Sequence, residues 1–190
     1  AGMRPVALIA TLQENAVTDA ALPSDAQVIG AVQRTLGSDV ILLHAAGGLP
    51  GELHKLWQAG TPGSYHAEYG FSTMGYEIAG GLGVRMAHPD RDVVVMVGDG
   101  SYLMLNSELV TAVAEGIKLI VVIVENQGYA SIGHLSETVG SQRFGTRYRT
   151  ADESGGVPAP DLERGEFLPV DLAANARSYG ARVIDIAPGP

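Results

Sequence analysis

Two runs of consecutive apolar residues dominate the hydropathy pattern: residues 92–97 (Asp-Val-Val-Val-Met-Val) and 118–124 (Lys-Leu-Ile-Val-Val-Ile-Val). A β-branched run of this kind, with no polar face, predicts a strand buried on both sides, as in parallel sheets covered by helices. Around these runs the period changes. Residues 25–36 predict a helix, with Ser24 as its cap and Gln27 three positions on, at capping-box spacing. A strand over 39–44 follows, then Gly47-Gly48 and a short helix near 51–57. Residues 74–86 predict a helix weakened by Gly80, Gly81 and Gly83, which suit close packing on a neighbour or a ligand. A helix over about 106–115 joins the two apolar strands, 171–179 predicts a helix ended by Gly180, and 181–186 a last strand. Strands alternating with helices imply an α/β fold, a doubly wound and mostly parallel sheet with helices on both faces. Residues 1–24 are expected to be a connecting segment and 25–190 the domain proper. Residues 131–168 have weak periodicity and collect Gly155-Gly156, Pro158 and Pro160, so they read as a mobile loop or as an active-site cover. Arg143, Arg147 and Arg149 within them are either solvated charges or contacts to a polyhydroxylated or acidic product.

Both apolar strands end in polar turns, Gly98-Asp99-Gly100-Ser101 and Glu125-Asn126-Gln127-Gly128. In open α/β sheets ligands bind at such carboxyl ends. Asn126 stands 27 positions after Asp99, which leaves room for a helix and a strand, so one right-handed βαβ crossover makes the two turns neighbours. Asp99 offers an anionic oxygen, Asn126 a neutral one and the carbonyl of Gly128 a third, a donor set that suits a hard, octahedral cation carrying phosphate oxygens. Gly98 and Gly100 remove Cβ atoms where backbone passes close to phosphate, and Ser101 offers a hydroxyl. Either turn alone is a common ligand-free loop. The pair at this spacing points to a diphosphate and divalent-metal site.

With these residues in view, Gly98-Asp99-Gly100 followed by Asn126 resembles the thiamine-diphosphate-binding signature of acetohydroxyacid synthases, 2-oxoacid decarboxylases and their relatives. The resemblance implies that Asp99, Asn126 and the carbonyl of Gly128 hold Mg²⁺ against the diphosphate, with Tyr129 beside them. The signature's first asparagine is replaced by Glu125, while the ligand position is intact. Residues 66–81 resemble the family segment that meets the aminopyrimidine, which puts Met74 where a large apolar side chain props the cofactor into its bent form and the carbonyl of Ser72 where the aminopyrimidine donates. Taken as residue types alone, Met74 near a helix start is as readily a core residue. The runs Ala67-Glu68-Tyr69-Gly70-Phe71-Ser72, residues 98–109 and Gly140-Ser141-Gln142-Arg143-Phe144-Gly145 look like the trihydroxycyclohexane-1,2-dione acylhydrolases of myo-inositol catabolism. Membership would imply carbon–carbon cleavage of a cyclic dione, with the thiazolium ring accepting electrons, to give an open-chain deoxyuronic acid.

Among the histidines, His44 precedes Ala45-Ala46-Gly47-Gly48, where the family contacts diphosphate or substrate, so His44, Gly47 and Gly48 are expected at the site. His66 precedes the pyrimidine segment and is a candidate acid or base, since an unperturbed imidazole titrates near pH 6.5. His54, His88 and His134 are taken as structural or surface residues. No pair has zinc-site spacing, and no Gly-x-Ser-x-Gly elbow is present.

Composition narrows the partners. A net charge of −9 argues against nucleic acid or an anionic membrane, both of which require a basic face. No segment reaches the roughly 20 apolar residues that span a bilayer, and no signal-peptide pattern opens the chain, so a cytoplasmic location is expected. The absence of cysteine is consistent with a reducing compartment. The family's activating glutamate resides on a separate pyrimidine-binding domain, usually of another subunit, and nothing in these 190 residues matches it. The resemblance therefore implies one domain of a longer, homo-oligomeric enzyme that takes a small cyclic dione and binds cofactor weakly by itself. Two other readings stand beside it: the cofactor domain of another thiamine-diphosphate lyase or carboligase, and a non-catalytic binding or assembly module.

Overall fold

The computed structural model describes residues 6–11, 23–141, 143, 145–150 and 165–186. Among the described residues, six strands form one parallel sheet in the order β3-β2-β4-β5-β1-β6, with β1 at Val6–Thr11, β2 at Ile41–His44, β3 at Tyr65–Ala67, β4 at Val93–Gly98, β5 at Ile120–Glu125 and β6 at Arg182–Ile186. The two apolar runs are β4 and β5, the middle of the sheet. Because side chains alternate across a strand, each run feeds two cores. Val93, Val95 and Val97 join Ile41, Leu43, Val121 and Ile123 on one face. Helices α3 (Tyr76–Ala87), α4 (Asp99–Met104), α5 (Glu108–Ala114) and α7 (Leu172–Ser178) cover that face with Ile78, Tyr102, Leu109 and Leu172. Val94, Met96, Val122 and Val124 point the other way, onto Val28, Ile29 and Val32 of α1 (Asp25–Leu36) and Leu49 and Leu53 of α2 (Gly48–Leu56). Each fully buried aliphatic side chain contributes about 2 kcal/mol by leaving water, so a strand with no polar face is stable only between two such layers.

Local chemistry sets the helix ends. At α1 the amide of Gln27 donates to Ser24 Oγ, and the amide of Ser24 donates to Gln27 Oε1 at 2.9 Å, the complete capping box. Asp171 caps α7 by accepting from the amide of Ala174 at 2.7 Å. Of the three glycines expected to permit close packing in α3, Gly81 does so against the sheet, since a Cβ there would be driven into Val95 Cγ2, while Gly80 lies under the ring of Tyr76.

Several expectations are corrected. Residues 1–24 are not only a connection: β1 lies inside the sheet, paired in parallel with β5 (Val6 to Ile120) and β6 (Val6 to Arg182). Its own sequence does not say where a six-residue apolar stretch will pair, because that choice rests on strands more than 100 positions away. A short edge strand, β3, and a helix directly after Gly98, α4, were not expected, nor was α6 (Ala130–Thr138) at the start of the weakly periodic region. Helix α6 buries only Gly133, so it carries no apolar periodicity facing a core. Residues 151–164 of that region lie outside the described residues, as does the segment 12–22 of the expected connection. Among the described residues no helix is long and apolar enough to cross a membrane.

The winding places the site. From β2 the chain moves outward to β3, then returns to the other flank through β4 and β5, so the direction of winding reverses between β2 and β4, which are neighbours. The crevice outside the carboxyl ends at such a reversal is where an open α/β sheet receives a ligand. Residues 45–48 and 98–101 open onto it.

Candidate functional site

In the ladder between β4 and β5, Gly98 stands level with Val124, so Asp99 and Asn126 leave the sheet side by side. Asp99 is buried, with Oδ1 accepting from the amide of Gly100 at 2.8 Å and Oδ2 from that of Gly128 at 3.2 Å. The inward terminal atom of the Asn126 amide lies 2.9 Å from the carbonyl oxygen of Gly128 and 3.1 Å from Asp99 Oδ1. Turned with its oxygen inward, Asn126 completes a triad of acceptors suited to a cation. Turned with its nitrogen inward, it donates to both and holds the same three groups together. Burial pushes the Asp99 carboxyl up to about 7; the amides of Gly100, Gly128 and Gln127 pull it down and the charge of Glu125 raises it again. A carboxylate that pays for desolvation beside two neutral oxygens is the setting a bound dication relieves.

The turn after β5 is held in an uncommon shape. Gln127 has φ 57° and Gly128 φ 154°, both outside the range that most side chains adopt. Residues 146–148 strap this turn from outside: the amide of Tyr129 donates to the carbonyl of Thr146 at 2.7 Å, and the amide of Tyr148 donates to that of Gln127 at 3.1 Å. The strap is anchored in turn where the amide of Leu168 donates to the Tyr148 carbonyl at 3.0 Å and the Arg149 guanidinium lies 4.0 Å over the Phe167 ring. This part of the region expected to be a loop or cover is thus a brace for the Asn126–Gly128 turn. Arg143 pairs with Glu137, and Arg149 also donates to the carbonyl of Gly165 at 2.7 Å, so both have protein partners. Tyr129 packs against the first turn, where a Cβ on Gly100 would stand 2.7 Å from its ring.

The opposite wall comes from residues 67–77. Glu68 accepts from the amides of Thr73 and Phe71, which holds its carboxyl below the usual range and closes a turn that places Ser72 at φ 49°. Met74 follows, half-buried. The amide of Gly75 donates to Ser101 Oγ at 2.8 Å and to Glu77 Oε2 at 3.0 Å, tying the residue after Met74 to the turn after Asp99. Ser101, expected to serve the diphosphate, is buried and turns its hydroxyl to the Glu77 carboxylate, 2.7 Å and 2.8 Å from its two oxygens. Gly47, at φ 121°, and Gly48 are exposed at the head of α2.

The two candidate histidines are not brought together. His44 does not open into the crevice: its ring is fully buried on the α2 face, with Nε2 2.7 Å from the hydroxyl of Tyr65, which is itself 2.9 Å from Nδ1 of His54. Burial lowers its pKa to about 4, against the pull of the Ala45 backbone, with His54 and His66 lowering it further. Burial likewise raises the Tyr65 phenol to about 12. His66, one residue along β3, points to the other face, where Nε2 lies 2.9 Å from the Tyr76 hydroxyl and the rings stack at 6.1 Å. It lines a groove of about 380 Å³ with Tyr76, Gly80, Gly83, Val84 and His88, along the flank of α3. Strand alternation separates Tyr65 from His66 and makes the outcome legible once β3 is known.

Four residues that brace the candidate site escaped the pattern reading: Glu68, Glu77, Tyr148 and Asn175. Asn175 accepts from Tyr102 at 2.8 Å and from Asn106 at 3.2 Å, pinning α4 behind the Asp99 turn. The one available signal was at Glu77, an acidic residue within a glycine-rich apolar helix and next to the buried Ile78.

Similar proteins were found at three levels. Residues 45–189 match the family described as "Thiamine pyrophosphate enzyme, C-terminal TPP binding domain". The chain is 39% identical over 175 residues to a 3D-(3,5/4)-trihydroxycyclohexane-1,2-dione hydrolase of Clostridium perfringens, covering 92% of this chain and 26% of that protein. It is 42% identical over 159 residues to a protein of the same name from Bacillus thuringiensis, covering 84% and 24%. The chain thus spans about a quarter of the length of these curated relatives. Among solved structures it resembles the thiamine diphosphate-dependent 4-hydroxybenzoylformate decarboxylase of Rhodococcus jostii RHA1, with a TM-score of 0.67 and 21% identity over 93% of this chain and 30% of that one, a likeness of fold.

Proposed function

Since the chain belongs to the thiamine pyrophosphate enzymes and forms their C-terminal cofactor-binding domain, we propose that it supplies the diphosphate and Mg²⁺ half of the active site of a hydrolase that opens a trihydroxycyclohexane-1,2-dione at a carbon–carbon bond. The observation that carries this reading is the meeting of Asp99 Oδ1, the Gly128 carbonyl and the Asn126 amide within hydrogen-bond distance at two adjacent strand ends. These three would hold Mg²⁺, whose preference is for oxygen donors of mixed charge completed by phosphate and water. The buried, desolvated carboxyl of Asp99 fits that role, and the donor set contains no soft ligand that would favour another metal. Gly98 and Gly100 leave the backbone beside Asp99 without side chains, and Gly47 and Gly48 do the same at the head of α2. When bound, thiamine diphosphate supplies a nucleophilic carbon and an electron-accepting thiazolium ring.

The chain's own residues bind and orient. Asp99, Asn126 and Gly128 fix the metal end, while Met74 and the carbonyl of Ser72 present the surface against which the other end of the cofactor rests. Tyr129 backs the first turn and the 146–148 strap keeps the second one in shape. In this reading a pyrimidine-binding domain with the activating glutamate completes the site, contributed across a subunit interface of a cytoplasmic homo-oligomer. The choice of substrate follows the name shared by the two relatives at 39% and 42% identity. The test is turnover by the full-length protein: release of an acid from the cyclic dione, dependent on thiamine diphosphate and Mg²⁺, supports the reading. Carboligation or decarboxylation of pyruvate with no action on the dione overturns it in favour of a synthase or decarboxylase.

A further inference from the structure

Glu77 is a carboxylate at 1% exposure in the first turn of α3, between the core residue Ile78 and the tightly packed Gly75. A helix that had only to pack on β4 would carry an apolar residue there, since burying a carboxylate costs free energy unless donors surround it. Here the donors come from two segments distant in sequence. Ser101 Oγ stands at 2.7 Å and 2.8 Å from the two carboxylate oxygens, and the amide of Gly75 donates at 3.0 Å. One lies in the first turn of α4, directly after β4, and the other directly precedes α3, on the side of the crevice at the switch of winding. Each donor is one or two residues from a group of the proposed site: Gly75 from Met74, Ser101 from Asp99.

We propose that Glu77 is a positioning residue for the cofactor, a buried lock that holds Met74 in fixed register with the Asp99 metal turn. This rests on the reading of the site as a thiamine-diphosphate site and adds to it how one carboxylate makes the two ends of the cofactor meet a preset distance. A metal turn and a prop on separate loops bind a two-ended ligand well only if their spacing is settled beforehand, because otherwise binding itself must order them. Groups that orient a ligand set from behind are known to shift affinity by about 10–100-fold without touching the ligand.

Two readouts on the same proteins test the lock: amide hydrogen exchange of the ligand-free chain, and calorimetric titration of thiamine diphosphate with Mg²⁺, for wild type, Glu77→Ala, Glu77→Gln and Ser101→Ala. The lock predicts that in Glu77→Ala the amide of Gly75 exchanges faster while those of β4 and β5 do not, and that cofactor affinity falls about tenfold or more. Glu77→Gln should recover part of the affinity, since its amide oxygen still accepts while its nitrogen faces a donor. Ser101→Ala removes the second of the two acceptors of the Gly75 amide and should also speed its exchange. Exchange at Gly75 that stays at the wild-type rate in these variants overturns the lock, and so does faster exchange with undiminished cofactor affinity. Should Glu77→Ala fail to fold, the Gln and Ser101 variants decide on the same two readouts. A wild-type protein that shows the protected Gly75 amide yet takes up no thiamine diphosphate at full length overturns the proposed function instead, and the positioning role falls with it.

Discussion

Acid should destabilise this fold through His44 in particular. Its imidazole is fully buried between His54 and Tyr65 and titrates near 4, against 6.5 for a free side chain. Above pH 6.5 the ring is neutral in folded and unfolded chains alike, so it adds no pH dependence. As the pH falls from 6.5 the unfolded chain takes up a proton that the folded ring refuses, and stability declines until the folded ring titrates near 4. At about 1.4 kcal/mol per pH unit, that window amounts to about 3 kcal/mol, a large share of the stability of a typical domain. The groups facing the ring are Tyr65, His54 and, by charge, His66; none is a carboxylate that would stabilise the imidazolium. The assay is urea unfolding at several values between about pH 7.5 and pH 4.5 for wild type and His44→Gln. Carboxylates held low in the fold, such as Glu68 and Glu137, lose their contribution in both proteins, so the difference isolates the ring. Wild type should lose about 2–3 kcal/mol more than the variant across that range. Equal acid losses in the two proteins, or an imidazole resonance of His44 titrating near 6.5, would refute the reasoning.

Two further substitutions separate packing from the site. Gly81→Ala drives a methyl group into Val95 on β4 and should cost about 1–3 kcal/mol in thermal or urea unfolding, while a stability unchanged from wild type would mean α3 can move off the sheet freely. Gly100→Ala places a methyl group 2.7 Å from the Tyr129 ring and 3.2 Å from the Gly128 carbonyl, so it should weaken Mg²⁺-dependent cofactor binding by about tenfold or more through displacement of a metal ligand. Undiminished affinity in that variant would place the cofactor away from the Gly128 carbonyl.

What was legible beforehand follows how local its determinants are. The strands at 93–98 and 120–125, the capping box at Ser24 and Gln27, and the pairing of Asp99 with Asn126 are written in neighbouring residues or in one short crossover, and all are found as expected. The position of β1 between β5 and β6 depends on pairing across most of the chain, and no local pattern carries it. Ser101 follows the Asp99 turn, but its hydroxyl serves Glu77, a partner 24 positions earlier that only the fold brings near. His44 was placed at a strand end, yet the face it takes depends on register with β3, a three-residue strand too short to announce itself. The 146–148 strap resembled a loop because its hydrogen bonds go to one turn and one short segment, with no periodicity for the sequence to display.

The decisive measurement is calorimetric titration of thiamine diphosphate into the protein with Mg²⁺, with excess chelator, and with Asp99→Ala in place of wild type. Binding that requires Mg²⁺ and vanishes in Asp99→Ala, in this chain or in the full-length protein that contains it, is the predicted result. Binding of equal affinity in the variant, or binding indifferent to the chelator, would contradict the assignment of Asp99, Asn126 and the Gly128 carbonyl as the metal end of the site.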